Sequence, residues 1–210
     1  MKKVLLISPH LDDAILSAGQ FIAGRGGYAD VLTVFSGIPL VNAEYVTDYD
    51  KECGFNTSRD AMVVRRKEDT EALSILNARP IYTDRLDSQY KGANKVGIAL
   101  TDILRKYATK EYEMVLAPLG LLHPDHIAVS DAVLKLGLQN LYLWEDLPAR
   151  VTHPEAVVER LKKIPKAEST FIGNGPIADK VRALWCYKSQ MGRGDLNPYN
   201  LYVPERFWKV

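Results

Sequence analysis

Short apolar runs rich in β-branched residues recur along the chain, each followed by a longer stretch with helical spacing, and this alternation narrows the folds open to it. Val4–Ser8, Asp30–Phe35, Pro80–Thr83, Met114–Pro118 and Leu141–Leu143 read as strands. Between them, Asp12–Ala23 sets Ala14, Ile15, Ala18 and Ile22 on one helical face, and Ala61–Asn77 does the same through Val64, Leu73 and Leu76. Val96–Tyr107 and Ile127–Leu136 are further helices. Strands that alternate with helices imply right-handed crossovers around a mostly parallel sheet. The expected fold class is therefore α/β, a Rossmann-like three-layer sandwich, with residues 1–210 as a single domain. Beyond the fifth strand, Pro154–Lys163 and Ala178–Gln190 read as helices, Ser169–Ile172 as a strand, and Gly192–Val210 as a tail that wraps the body. Gly37–Asp60 carries Gly, Pro, Asn, Asp and Tyr without a sustained period, so it is expected to be a long substrate-side loop.

Composition removes several function classes. A net charge of +1 gives no broad attraction to nucleic acid or to an anionic membrane. No apolar run reaches the roughly 18 residues of a membrane span. The N-terminus has a basic start, but Val4–Ile7 is shorter than the apolar core of a secretory signal, about 7–15 residues. A cytoplasmic location is the expectation. The two cysteines, Cys53 and Cys186, form neither a disulfide framework nor a CxxC pair. Gly24, Gly26 and Gly27 follow the first helix rather than joining strand to helix, which contradicts a dinucleotide fingerprint. Neither a P-loop nor a GxSxG elbow occurs.

Sites in open parallel sheets lie beyond the carboxyl ends of the strands. Two polar clusters fall there: Pro9–Asp13 after the first strand, and His123-Pro124-Asp125-His126 after the fourth. Three of the four histidines are in these clusters. Imidazole combined with carboxylate suits zinc or iron(II). Asp12 and Asp13 are consecutive, so on a first helical turn their side chains diverge by about 100°. One can then take a metal while the other faces the attacking water. A structural alternative stands beside this, because acidic residues also favour helix N-termini. Pro124 suits a first helical position, which puts His123 and His126 on one opening turn.

Together these clusters resemble the PIG-L/LmbE family of zinc-dependent de-N-acetylases. The family's His-Pro-Asp-Asp-Glu motif stands here as His10-Leu11-Asp12-Asp13-Ala14, and its His-Pro-Asp-His motif is unchanged at His123–His126. Arg65-x-x-Glu68-x-x-x-Ala72-x-x-x-Leu76 is similar to an Arg-x-x-Glu helix of the family, Asp87 to an aspartate near its pocket, and Lys188-Ser189-Gln190 to a late Ser-Gln motif. The resemblance extends over the whole chain. Leu11 and Ala14 depart from the pattern, and Ala14 removes a carboxylate beside the site. The resemblance implies one divalent metal, Zn2+ or alternatively Fe2+, held by His10, Asp13 and His126. Asp12 becomes the general base acting on metal-activated water, and His123 the electrostatic and acid partner. Arg65 and Asp87 would contact substrate hydroxyls.

The implied reaction is hydrolysis of an N-acyl amide on an amino-sugar or sugar conjugate, with a small-molecule substrate and no nucleic-acid partner. Two other readings stay open: an amidase acting on a larger sugar-thiol conjugate, and a sugar-binding protein that has lost catalysis. Retention of Asp12 and His123 speaks against the last, and Ala14 speaks for it. The oligomeric state is not set by the sequence. Among the remaining features, His153 reads as a surface or capping residue, and Glu145-Asp146 as a pocket rim or a solvated turn. Tyr45, Tyr49, Phe55 and Tyr90 either stack on sugar or pack their loops. Arg66 and Lys67 read as part of a solvated mixed-charge face.

Overall fold

The computed structural model describes residues 2–40, 46–90, 99–193 and 202–210. Its strands are β1 (Val4–Ser8), β2 (Ala29–Thr33), β3 (Arg79–Tyr82), β4 (Met114–Pro118), β5 (Leu141–Trp144), β6 (Glu168–Thr170) and β7 (Phe207–Lys209). Its helices are α1 (Asp13–Ala23), α2 (Asp48–Glu52), α3 (Ser58–Ile75), α4 (Leu100–Tyr107), α5 (Pro124–Leu134), α6 (Ala149–Thr152), α7 (Pro154–Leu161) and α8 (Ile177–Leu184). The strands form one sheet in the order β3-β2-β1-β4-β5-β7-β6. The first five are mutually parallel, and β7 runs antiparallel to both its neighbours.

Strand periodicity divides the core. Val4 and Leu6 of β1 join one apolar cluster with residues of α1, α3 and α8, while Leu5 and Ile7 join a second with residues of α4, α5 and α7. Every residue of β1 is buried, which is why it reads as a continuous apolar run rather than an alternating one. Burying each such aliphatic side chain contributes about 1.5–3 kcal/mol. β1 sits between β2 and β4, so the chain leaves these two central strands toward opposite edges. The crevice that this reversal opens lies at the carboxyl ends of β1 and β4.

Several expectations need correction. The stretch 37–60 is not a plain loop: Thr47 accepts the Asp50 N–H and caps α2, and Thr57 accepts the Asp60 N–H and caps α3. These are polar start signals that apolar periodicity does not reveal. The tail does more than wrap, because Phe207–Lys209 inserts as β7 between β5 and β6. The last helix ends at Leu184 rather than Gln190. Tyr45 and the expected helix start at Val96 lie outside the described residues.

Helix α1 is broken. Ala18 leaves helical geometry at φ −140°, ψ 21°. The carboxylate of Glu205 takes the N–H groups of Gln20 (2.8 Å) and Phe21 (3.0 Å) just after the break, and also the Lys180 ammonium at 2.8 Å. Glu205 thus caps the second half of α1 from a distant segment. The Lys180 stem fills the space over Gly19, where an added Cβ would lie 2.8 Å from Lys180 Cγ.

Candidate active site

The turn that follows β1 carries His10, Asp12 and Asp13. Asp12 adopts φ 133°, ψ −35°, a conformation that a non-glycine residue rarely takes. Neither carboxylate caps α1 in the ordinary way. The Asp12 side chain makes no capping bond, the Ala14 N–H goes to Ser8 Oγ, and Asp13 Oδ2 instead accepts the His10 backbone N–H at 2.8 Å. The capping alternative raised by the sequence therefore fails, and both acids are turned to other use. The unusual φ at Asp12, rather than helical divergence, separates the two side chains. Ala14, where the resemblance expects Glu, packs in the apolar core.

After β4, His123 is the N-cap of α5 and Pro124 opens the helix. His123 Nδ1 accepts the Asp125 backbone N–H at 3.2 Å. That bond leaves Nε2 as the protonated nitrogen of the neutral ring. His126 lies one turn on and is buried. The crevice brings both clusters together: ring centroids are 5.0 Å apart for His10–His123 and 5.3 Å for His10–His126 and His123–His126.

Three ligand-type atoms face one another here. Asp13 Oδ2 is 3.2 Å from His10 Nδ1 and 3.2 Å from His126 Nε2. The opposite nitrogen of each imidazole is held by a carboxylate, His10 Nε2 by Asp125 at 3.1 Å and His126 Nδ1 by Asp146 at 2.7 Å. Asp125 is itself held by the Ser88 hydroxyl at 2.8 Å. Among the described residues, the groupings whose donor atoms all lie within 4.8 Å of one another are His10-His123-His126 and His10-Asp87-Asp125. Both are worse metal sets: His123 Nδ1 already accepts an amide N–H, and Asp125 is spent on the outer nitrogen of His10.

The electrostatics follow from this packing. Burial opposes charge on His10, but the carboxylates of Asp125 and Asp13 outweigh it and hold the imidazole well above its usual range. His126 is likewise pushed up to about 10 against its burial, by Asp13 and Asp146. Burial pushes Asp13 up, but the two histidines hold it well below the carboxylate range. Asp12 is held well above that range by burial and then by the charge of Asp13. His123 is lowered by burial and by the other two histidines, which favours its neutral form.

A cleft of about 670 Å³ opens over these residues and includes Arg65, Asp87, Tyr49 and Gln190 in its walls. Gln190 Nε2 donates to Asp12 Oδ2 at 2.8 Å. The Ser189 backbone N–H and hydroxyl both bond to Glu68, and Tyr187 OH bonds to Asp69, so the 187–190 segment is clamped to α3. Arg65 is buried, pairs with Asp50 at 2.8 Å, and stacks with its guanidinium 5.1 Å from the Tyr49 ring centre and 5.6 Å from that of Phe55. Asp87 accepts from the Gln89 backbone and side chain and lies 3.9 Å from His10 Nε2.

Several residues differ from their sequence reading. The sequence points to no part for Asp125 or Asp146 at a metal, yet each lies against the outer nitrogen of an imidazole. Their signal was position: one lies inside the histidine motif and the other directly beyond β5. Glu145 is not at the rim; it is buried against Arg150 and Trp208. Arg66 is not on a solvated face, since it binds the carbonyls of Ser36 and Thr83. His153 is exposed at the α7 N-cap and lines the outer cleft.

The family model of GlcNAc-PI de-N-acetylase, PIG-L, matches residues 5–136, a span that holds both histidine motifs. The chain belongs to the PIG-L family. That span ends before Asp146 and the 187–190 segment, but solved structures continue the likeness. The zinc-inhibited form of teicoplanin deacetylase Orf2 matches at TM-score 0.80 and 25% identity, over 98% of this chain and 97% of that one. The A40926 pseudoaglycone deacetylase Dbv21 matches at TM-score 0.75 and 28% identity, over 99% and 96%. N,N'-diacetylchitobiose deacetylase from Pyrococcus horikoshii shares the fold at TM-score 0.56 and 20% identity, over 95% and 75%. A search of curated proteins finds no significant match to this PIG-L member. Among the described residues, no helix is long and apolar enough to cross a membrane.

Proposed function

We propose that this PIG-L member removes an N-acyl group, acetyl in the first instance, from an amino-sugar or sugar conjugate, with residues 1–210 acting as one deacetylase domain. Its cofactor is one divalent cation, Zn2+, held by His10 Nδ1, Asp13 Oδ2 and His126 Nε2. The observation that carries this is the placement of Asp13 Oδ2 between His10 Nδ1 and His126 Nε2 while Asp125 and Asp146 occupy the outer ring nitrogens. The residues fit a tetrahedral metal: bonds of about 2.0–2.1 Å separate neighbouring ligands by about 3.3–3.4 Å. Both separations through Asp13 are 3.2 Å. Fe2+ suits the same donors, and metal analysis separates the two. The likeness to the teicoplanin and A40926 pseudoaglycone deacetylases supports the acetyl group as the one removed.

A divalent cation bound there supplies Lewis acidity, acidifying water and polarising an amide carbonyl. The chain does the rest. Asp12, its raised carboxyl drawn back down by a neighbouring cation, takes the proton of the attacking water. One of its oxygens is fixed by Gln190, which sets the direction of transfer. Neutral His123 presents Nε2–H to the carbonyl oxygen as negative charge develops on it. Asp12, now protonated, returns the proton to the leaving amine. Arg65 donates to substrate hydroxyls and Asp87 accepts from them. The test is amine release from a panel of N-acetyl amino-sugars, alongside the metal content of Asp13→Ala. Amine release by the native chain, with metal absent from the variant, is expected. Full metal content in Asp13→Ala refutes the ligand set.

A further inference from the structure

Asp146 follows β5 and is 1% exposed, yet it touches both halves of the His-Pro-Asp-His region. Its Oδ1 lies 2.7 Å from His126 Nδ1. Its Oδ2 accepts the backbone N–H groups of Gly120 (2.9 Å) and Leu121 (3.2 Å), in the turn that leads to His123. An ionised carboxylate has no proton to give, so every partner of Asp146 must be a donor. His126 Nδ1 is therefore the protonated nitrogen, and the free lone pair of the neutral ring sits on Nε2, facing Asp13.

We propose that Asp146 is a positioning residue that selects the metal-binding tautomer of His126 while anchoring the 120–121 turn. The proposal rests on the metal-dependent reading above. Its sharpest consequence concerns the isosteric change Asp146→Asn. An amide has one acceptor oxygen and one donor NH2. Pointing the oxygen at Gly120 and Leu121 keeps two backbone bonds and turns the NH2 onto His126 Nδ1. Nδ1 must then accept, the proton moves to Nε2, and the lone pair that would hold the metal is gone. The opposite flip preserves the tautomer but sets the NH2 against two N–H donors. Keeping two bonds is favoured over keeping one, because each buried N–H left unpaired is costly.

Zn2+ affinity of the native chain and Asp146→Asn, measured by competition with a chelator, tests this together with the unfolding midpoint of each metal-free protein. The expected result is a roughly 10–100-fold loss of Zn2+ affinity, the range for lost outer-shell support, beside a lowered metal-free midpoint from loss of the carboxylate paired with His126. A purely structural role for Asp146 predicts a lowered midpoint with unchanged affinity, and that result would overturn the proposal. Imidazole ¹⁵N spectra of the Zn2+-loaded native chain need no variant, so they decide the matter even if Asp146→Asn fails to fold. Protonated Nδ1 on His126 is expected there, and protonated Nε2 overturns the proposal. A native chain that takes up no Zn2+ removes the metal reading itself, whereas native uptake with equal affinity in the variant removes only the role of Asp146.

Discussion

Replacing Glu205 by Ala should remove a large part of the stability of the fold, and the structure says why. Both Glu205 and Lys180 have fully buried side chains, and the carboxylate also receives the N–H groups of Gln20 and Phe21 at the break in α1. The variant leaves an ammonium uncompensated in the core, which costs about 3–5 kcal/mol. The two orphaned N–H groups add to this, but not independently, since water entering the same cavity would reach both. Domains have about 5–15 kcal/mol in total. For a chain of 210 residues each kcal/mol moves the thermal midpoint by about 2–4 °C, so a loss of about 6–20 °C is expected. Thermal and urea unfolding of Glu205→Ala, Lys180→Met and the double variant would measure it. The double variant should recover part of the loss, because it removes the stranded charge but not the unpaired N–H groups. A loss below about 1 kcal/mol in Glu205→Ala, or a double variant no better than the single one, would refute the reasoning.

Three further outcomes are expected at the site. Asp12→Asn should retain the metal and lose about 10²–10⁴-fold in turnover, measured by amine release against metal content. His123→Ala should also keep its metal and lose about 10²–10³-fold in kcat with KM nearly unchanged, whereas collapse of metal binding would make His123 a ligand. The pH response of the metal-free chain follows from His126, whose folded value is pushed up to about 10 from 6.5 by Asp13 and Asp146 against burial. A raised folded value stabilises fully below the unfolded one, so this contribution is complete below pH 6.5 and is lost as pH rises toward about 10. Since Zn2+ must displace that proton, its affinity should climb over the same window, with proton release seen by calorimetry in buffers of different ionisation enthalpy.

The central sheet was readable because its signals are local. β1 is a buried apolar run, and the polar residues that end β1 and β4 are adjacent in sequence to the strands that carry them. Those same clusters supply the histidines and aspartates that the crevice unites. What was not readable depends on contacts distant in sequence. Asp146 orients His126 across 20 residues and Gln190 reaches Asp12 across 178, and no spacing rule links either pair. β7 is three residues long and gains its identity only from the edges of β5 and β6. α2 begins at a threonine cap with little apolar patterning, so a reading based on periodicity passes over it, and the same reading starts α3 at Ala61 rather than Ser58 because the Thr57 cap is polar.

The backbone at Asp12 bears on whether this chain is still an enzyme. At φ 133° an aspartate is strained, by about 1–3 kcal/mol, and glycine at that position would be free of it. In a protein reduced to holding sugar, glycine would relieve this strain and give up only the bond from Gln190. The strain is tolerable only while the carboxylate has a task that outweighs it. Asp12→Gly is thus the substitution in which stability and catalysis should part company, giving a firmer fold that no longer turns over.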